Sequence, residues 1–217
     1  MKSAADAAAF IRANTTPVRP PLVPEIALYT ADQITPLWQA TQDALDLAGV
    51  EPPFWAFAWA GGQAVARYVL DAPDTVKGKR VLDICAGSGL CGIAAAKAGA
   101  AHVSAADIDP LSLSAVALNA GASGVELEIR TDDLLARPPG PWDVVLAGDV
   151  CYERALADAV LPWLHEAARN GALVLLGDPG RSYLPTSGLE RVIEYDVPTA
   201  TELESTDVKH TVVWRVV

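Results

Sequence analysis

The stretch Val81-Leu82-Asp83-Ile84-Cys85-Ala86-Gly87-Ser88-Gly89-Leu90 constrains what this chain can fold into more than any other. An apolar strand carrying an acid runs into a turn of small residues, which opens into an Ala-rich helix reaching Ala98. Small residues leave the turn backbone open to a ligand, because no bulky side chain stands in the way. A second strand, His102-Val103-Ser104-Ala105-Ala106, then ends at Asp107. An acid about 20 residues past a glycine turn is placed to grip the hydroxyl pair of a ribose. Strand, turn, helix, strand and acid predict a nucleoside-binding βαβ unit. A glycine turn with no ligand is the competing reading, and the downstream acid argues against it.

The turn also bears on which nucleoside. A dinucleotide fingerprint, G-x-G-x-x-G, needs its first glycine in the tight turn. Cys85-Ala86-Gly87-Ser88-Gly89 has glycine only at its third and fifth positions, and it carries Asp83 with no Lys or Arg. That suits a cationic ligand better than a pyrophosphate. The pattern resembles motif I of the seven-strand, S-adenosylmethionine-dependent methyltransferases, whose usual form is acidic-x-G-x-G-x-G. The resemblance implies that Asp83 faces the methionine end of the cofactor and that Asp107 holds its ribose. Cys85, Ala86, Gly87, Gly89, Ile108 and Gly148 would line the rest of the site. Cys85 stands where the family has glycine, so the turn there is expected to avoid positive φ. A dehydrogenase would have to bind NAD on a turn lacking its first glycine.

At 217 residues the chain suits one domain with a substantial core, and half of its residues are apolar. The net charge of −11 argues against nucleic acid as the main partner, because a phosphate backbone calls for a basic stripe. It fits a basic partner surface, or simply a solvated acidic face. The three cysteines, Cys85, Cys91 and Cys151, form no C-x-x-C pair. No metal site and no disulfide framework is expected, and a reducing compartment, the cytoplasm, is the default. The N-terminus, with Asp6 and Arg12 in an Ala-rich stretch, is a poor signal peptide, and no apolar run is long enough to span a membrane. The Ala- and Arg-rich composition suggests a bacterial source.

Hydrophobic periodicity predicts helices over Ser3 to Ala13 and Thr35 to Ala48, the latter ending at Gly49, with an extended or irregular Pro-rich stretch from Thr15 to Pro24 between them. Pro52-Pro53 breaks the chain before the aromatic run Phe54-Trp55-Ala56-Phe57-Ala58-Trp59, and a helix follows from Gly62 to Leu70. Strands are predicted over Arg80 to Ile84, His102 to Ala106, Val125 to Arg130, Trp142 to Ala147 and Ala172 to Gly177. Helices fall between them over Leu90 to Ala98, Pro110 to Ala120 and Tyr152 to Arg169. Such alternation predicts an α/β fold with a mostly parallel sheet and helices on both faces. Leu189 to Val197 and Val208 to Val217 add a closing antiparallel hairpin, a feature of the Rossmann-like methyltransferase sheet. The expected division is an N-terminal helical and irregular extension, residues 1–52, used for substrate docking, and a methyltransferase domain, residues 53–217.

In open α/β sheets the ligand sits at the carboxyl ends of the strands. Acids stand there on five strands: Asp83, Asp107, Asp132 or Asp133, Asp149, and Asp178. Asp109 before Pro110 reads as a helix cap. Either Asp132 or Asp133 could accept from the adenine amino group. Asp149-Val150-Cys151-Tyr152 resembles the D-x-x-F/Y motif of a family of protein lysine methyltransferases. The nucleobase-amine form has two prolines where this chain has Val150 and Cys151. The bland alternative is that Asp149 caps the following helix and Tyr152 packs in its first turn.

The flanks sharpen the match. The aromatic block from Pro53 to Gln63, Gly177-Asp178-Pro179-Gly180-Arg181, and Glu204-Ser205-Thr206 with Thr211-Val212-Val213-Trp214 resemble the lysine methyltransferases of the electron transfer flavoprotein β subunit. The resemblance runs from about Pro53 to the C-terminus. It implies that Trp59 contacts the cofactor, that Asp149 and Tyr152 serve the amine, and that Trp55, Asp178 and Arg181 meet the substrate. One of Trp55 and Phe57 is expected in the core. His165, mid-helix, is expected to be structural.

The implied reaction transfers the sulfonium methyl of S-adenosylmethionine to a lysine amine, leaving S-adenosylhomocysteine. The amine must be neutral, which from a pKa of about 10.4 costs roughly 4.6 kcal/mol at pH 7. An anionic Asp149 would raise that pKa, so its expected role is an orienting acceptor, with water taking the proton. Other readings are methylation of another protein such as a ribosomal protein, of a small amine such as nicotinamide, or a non-catalytic cofactor-binding module.

Overall fold

The computed structural model describes residues 3–45, 52–199 and 206–217. Its centre is a seven-stranded sheet of β3 (Arg80–Ile84), β4 (His102–Ala106), β5 (Glu128–Arg130), β6 (Val144–Gly148), β7 (Leu173–Asp178), β8 (Leu189–Pro198) and β9 (Val208–Val216). The order across the sheet is β5-β4-β3-β6-β7-β9-β8. All neighbours from β5 to β7 pair in parallel, and β9 runs antiparallel to both β7 and β8. The mostly parallel α/β sheet with a closing hairpin, expected from the alternation of strands and helices, is what forms.

The crossovers set the two faces. On one face α3 (Ala60–Asp71) and α4 (Leu90–Lys97) bury Val65, Val69 and Ile93 against Val81, Val144 and Leu175 of the sheet. On the other face α6 (Arg154–Arg169) buries Val160, Trp163 and Leu164 against Leu82, Val145 and Leu176. Both faces are therefore apolar, which is why the central strands read as continuous Val/Leu/Ile runs rather than alternating ones. α5 (Pro110–Ala122) starts where expected, because Asp109 accepts the Leu111 N–H at 2.8 Å and Pro110 occupies the first helical turn.

Several boundaries differ from the sequence reading. β5 begins at Glu128 rather than Val125, because Gly124 (φ +71°) and the Val125 N–H bonded to the Ala120 carbonyl still belong to the helix exit. α6 begins at Arg154 rather than Tyr152, which leaves Tyr152 in the turn before it. The Pro-rich stretch contributes a short strand, β1 (Thr16–Val18), paired antiparallel with β2 (Leu28–Thr30) in a separate ribbon. Helix α2 covers Ile34–Leu45. Its predicted end near Ala48 and Gly49, and the Glu204-Ser205 part of the closing segment, lie outside the described residues.

The N-terminal segment shares the core of the rest. Ile11 of α1 (Ala4–Asn14) and Leu37 of α2 pack with Trp55, Phe57, Leu111 and Ala115. Buried Asn119 on α5 accepts the Tyr29 N–H at 2.7 Å and donates to the Ser88 carbonyl at 2.8 Å. One side chain thus ties β2 to the glycine turn.

The tightest contact in the fold is between α3 and the ends of β6 and β7. A Cβ on Gly177 would overlap the Gly61 carbonyl oxygen and lie 2.8 Å from its carbon, and one on Gly148 would lie 2.7 Å from the Gly62 Cα. Gly177→Ala should therefore lower stability by about 1–3 kcal/mol through overpacking. Gly121→Ala, on α5 with nothing within 4 Å of the added carbon, should instead add up to about 1 kcal/mol from helix propensity. Urea midpoints of the two variants against the parent check both signs.

Candidate active site

The sheet order reverses between β3 and β6, and that switch point is where an open α/β sheet binds its ligand. Asp83 lies on the β3 side. Its carboxylate is buried (2% exposed), and Oδ2 accepts the Gly92 N–H of α4 at 2.7 Å. Burial, augmented by the nearby Asp107 charge, pushes its pKa up to about 8. The turn that follows is held by the Gly89 N–H on the Ala86 carbonyl (2.7 Å) and the Ala86 N–H on the Ala106 carbonyl (3.0 Å). Gly87 and Gly89 take positive φ, and so does Cys85, at +52°. The expectation that Cys85 avoids this region is thus corrected. The turn keeps a left-handed backbone where the resembled motif has glycine, so Cys85 carries a backbone strain that a glycine would avoid.

Asp107 sits at the end of β4. Its Oδ2 accepts the Gly87 N–H at 2.8 Å and its Oδ1 the Asp109 N–H at 3.0 Å. Burial raises its pKa. A carboxylate offers about four acceptor sites, so these bonds are compatible with a diol while they fix the glycine turn. Ile108 beside it is 77% exposed, an apolar side chain standing at the rim. Asp132 is paired with Arg130 and Arg137 at 3.2 Å each, and the Arg130 hydrogen bond holds its carboxyl below the usual range. Asp133 is exposed, accepts the Leu135 N–H at 3.0 Å, and lies close enough to the turn for its charge to raise the Cys85 thiol.

The β6 side carries Asp149, at φ +56°, the other non-glycine residue with positive φ among the described residues. Its Oδ2 accepts the Gly61 N–H at the start of α3, and its Oδ1 accepts from Arg181 Nε (2.8 Å) and Nη2 (2.6 Å). Asp149 does not cap the helix that follows it; it meets the positive end of α3, a helix nearly 90 residues earlier in the chain. Arg181 lies over the Trp59 ring, 5.8 Å from its centroid. Phe54 stands between Trp59 (5.9 Å) and Tyr152 (5.1 Å), so three aromatic rings wall the site beside the carboxylate. Tyr152 is 39% exposed, and the indole N–H of Trp59 is used on the Phe54 carbonyl at 2.8 Å.

Three residues expected at the site have close partners within the protein. Trp55, expected at the substrate, is 1% exposed and lies in the core with Phe57, so both aromatics are structural rather than one. Asp178, also expected at the substrate, is buried; its Oδ1 accepts the N–H groups of Gly180 and Arg181 at 2.7 Å and so shapes the turn that carries Arg181. Gly148, expected at the cofactor, is small because the α3 backbone leaves no room for more. Sequence reasoning missed Phe54, Gly61 and Asn119. Phe54 stood in the aromatic block, but nothing local marked Gly61 or Asn119, whose partners are 88 and 31 residues away. His165 is structural as expected, with Nδ1 at 3.0 Å from the Val217 carbonyl oxygen.

The ribosomal protein L11 methyltransferase (PrmA) family profile matches residues 64–165. Magnesium protoporphyrin IX methyltransferase from Synechocystis, solved with bound S-adenosylmethionine, superposes with a TM-score of 0.52 at 21% identity, covering 72% of this chain and 79% of that one. The chain has the seven-strand methyltransferase fold. The electron transfer flavoprotein β-subunit lysine methyltransferase of Xenopus laevis is 36% identical over 211 residues, 94% of this chain and 85% of that protein. The human protein of the same name is 35% identical over 213 residues, 95% of this chain and 80% of that protein. The chain belongs to this lysine methyltransferase family.

The residues present fit S-adenosylmethionine. Gly87 has open space where a Cβ would stand, and Asp107 and Ile108 offer acceptors and an apolar surface beside it. Asp83 is a buried acid on β3. Among the described residues no group of three or more His, Cys, Asp or Glu could hold a metal ion, and no helix is long and apolar enough to cross a membrane.

Asp83 gives a pH signature with a definite sign. Its folded value, about 8, lies above the ordinary 3.8, so its contribution to stability is whole below about pH 4 and is lost as pH rises to 8. Asp83→Asn should therefore gain on the parent across that window, by up to about 1.4 kcal/mol per pH unit, and level off above it. Urea titrations at several pH values read this. Binding of S-adenosylmethionine to the parent should tighten between pH 5.5 and 7, by up to about tenfold per unit, with proton release in calorimetry.

Proposed function

We propose that this enzyme methylates a lysine of the electron transfer flavoprotein β subunit. One observation carries the reading: a carboxylate, Asp149, stands beside a wall of three aromatic rings at the switch point, in a chain whose relatives bear that substrate in their name. An acceptor next to π faces suits an alkylammonium group, which rings attract through their quadrupole. The ribosomal protein L11 methyltransferase profile spans residues 64–165, which takes in Asp149 and Tyr152 but neither Trp59 nor Arg181.

In the proposed reaction S-adenosylmethionine is consumed as a substrate, supplying an electrophilic methyl on its sulfonium. The lysine nitrogen lone pair forms the new N–C bond, the C–S bond breaks, and its electron pair stays on sulfur. The methylammonium then loses a proton to water. Asp149 orients the amine, Tyr152 and Trp59 flank it, and Asp83 and Asp107 with the 85–89 turn hold the cofactor. Alignment of amine and methyl contributes several kcal/mol in such sites. Docking of the protein substrate on the N-terminal segment belongs to the same reading, supported by the packing of α1 and α2 around Trp55 and Phe57 next to the aromatic wall. So does a reducing, cytoplasmic and bacterial setting, supported by three free cysteines and by composition.

Labelled S-adenosylmethionine offered with the purified β subunit, ribosomal protein L11 and nicotinamide in parallel tests the substrate. Label on a lysine of the β subunit supports the proposal, and label on L11 or nicotinamide alone overturns it. Asp149→Ala should lower turnover by about 100-fold or more while S-adenosylmethionine affinity changes little, as expected for a group acting mainly in the transition state. Loss of cofactor binding with no separate loss of rate would contradict the role given to Asp149.

A further inference from the structure

A lysine amine is a nucleophile only when neutral, yet Asp149 is an anion, and an anion beside an amine favours its protonated form. The structure contains a counterweight. Arg181 reaches Asp149 from the turn after β7 with two bonds to one oxygen, 2.8 Å from Nε and 2.6 Å from Nη2. The pair is shielded: the side chains are 20% and 7% exposed, so solvent and salt screen it little. Arg181 is also held from behind. Asp178 accepts the Arg181 and Gly180 N–H groups at 2.7 Å, Gly180 turns the chain at φ +86°, and the guanidinium lies over Trp59. Its geometry is built, not a chance meeting of two surface side chains.

Resting on the lysine reading above, we infer that Arg181 is a positioning residue that cancels the Asp149 charge at the amine subsite, so that the substrate lysine binds as the neutral amine. The other titratable groups around Asp149 do not supply this balance. The Cys91 thiol on α4 and the Cys151 thiol after β6 are both pushed up by burial, Cys151 to about 12, and stay neutral. Asp178, at the end of β7, is raised by burial and faces the Arg181 backbone. Tyr152, in the turn before α6, packs on Phe54. Asp83, across the switch point, is directed to α4. Arg181 thus does for the amine what a general base would otherwise do: it lowers the fraction protonated before the methyl is transferred. Asp149 keeps its orienting role, because the same Oδ atoms that bind Arg181 and Gly61 fix its plane.

The test is the pH dependence of kcat with saturating S-adenosylmethionine and the flavoprotein β subunit, since kcat reports pKa values in the bound complex. The parent should show an acid limb with a midpoint below the free-lysine value of about 10.4. Arg181→Gln should move that midpoint up by about 1–3 pH units, so that its deficit is large at pH 7 and shrinks towards pH 10. Arg181→Lys, which keeps the charge, should keep the limb near that of the parent. A deficit in Arg181→Gln equal at every pH overturns the inference and leaves Arg181 a merely structural residue. Calorimetry with S-adenosylmethionine accompanies the assay, and near-parental affinity in both variants is expected. If Arg181→Gln fails to fold, the limb of Arg181→Lys against that of the parent carries the comparison, and an upward shift there overturns the inference. A parent that methylates no lysine of the β subunit at any pH instead brings down the proposed function, a separate result read before any variant is made.

Discussion

Helix α3 meets the carboxyl ends of β6 and β7 backbone to backbone, and the site is arranged around that approach. Three glycines, Gly61, Gly148 and Gly177, make it possible. The Gly61 N–H then reaches Asp149, and the positive end of the helix holds the carboxylate in place. Trp59, immediately before the helix, is delivered to the same spot, and Arg181 closes on both from β7. A helix one Cβ further from the sheet would separate the acceptor, the aromatic wall and the cation at once.

The two halves of the site use their acids differently. Asp83 is buried against α4 with its pKa raised. Asp149 is already neutralised by an arginine and a helix terminus. Both halves sit on strained backbone, Cys85 on one side and Asp149 on the other, and such strain persists only where surrounding contacts over-determine it. Around Cys85 those contacts are the Ala86 and Gly87 N–H bonds; around Asp149 they are Gly61 and Arg181.

The similarity to other methyltransferases divides along the same line. The L11 methyltransferase profile spans residues 64–165, which holds the glycine turn, Asp107 and Asp149 but neither the aromatic block nor the Asp178–Arg181 turn. The flavoprotein β-subunit enzymes match nearly the whole chain.

Much of this was legible in the chain itself. The strands β3 and β4 were readable to the residue, because an apolar run bounded by a charged start and a small-residue turn has one solution. Asp109 was legible as a cap because capping is local. Asp83, Asp107, Asp149, Tyr152, Trp59 and Arg181 could be named, since each stands at a strand end or in a recognisable motif. Their states could not. Whether Cys85 takes a left-handed turn, whether Trp55 faces substrate or core, and whether Asp178 meets a ligand or two backbone N–H groups depend on partners brought from elsewhere in the chain. Local sequence determined the βαβ unit, the acids at the strand ends and the class of ligand, because turn chemistry and strand periodicity act over a few residues. Only the tertiary structure decided which charges are neutralised, which aromatics are buried and which glycines are obligatory. Those depend on distances between segments such as Gly61 and Asp149, 88 residues apart, which no local pattern encodes.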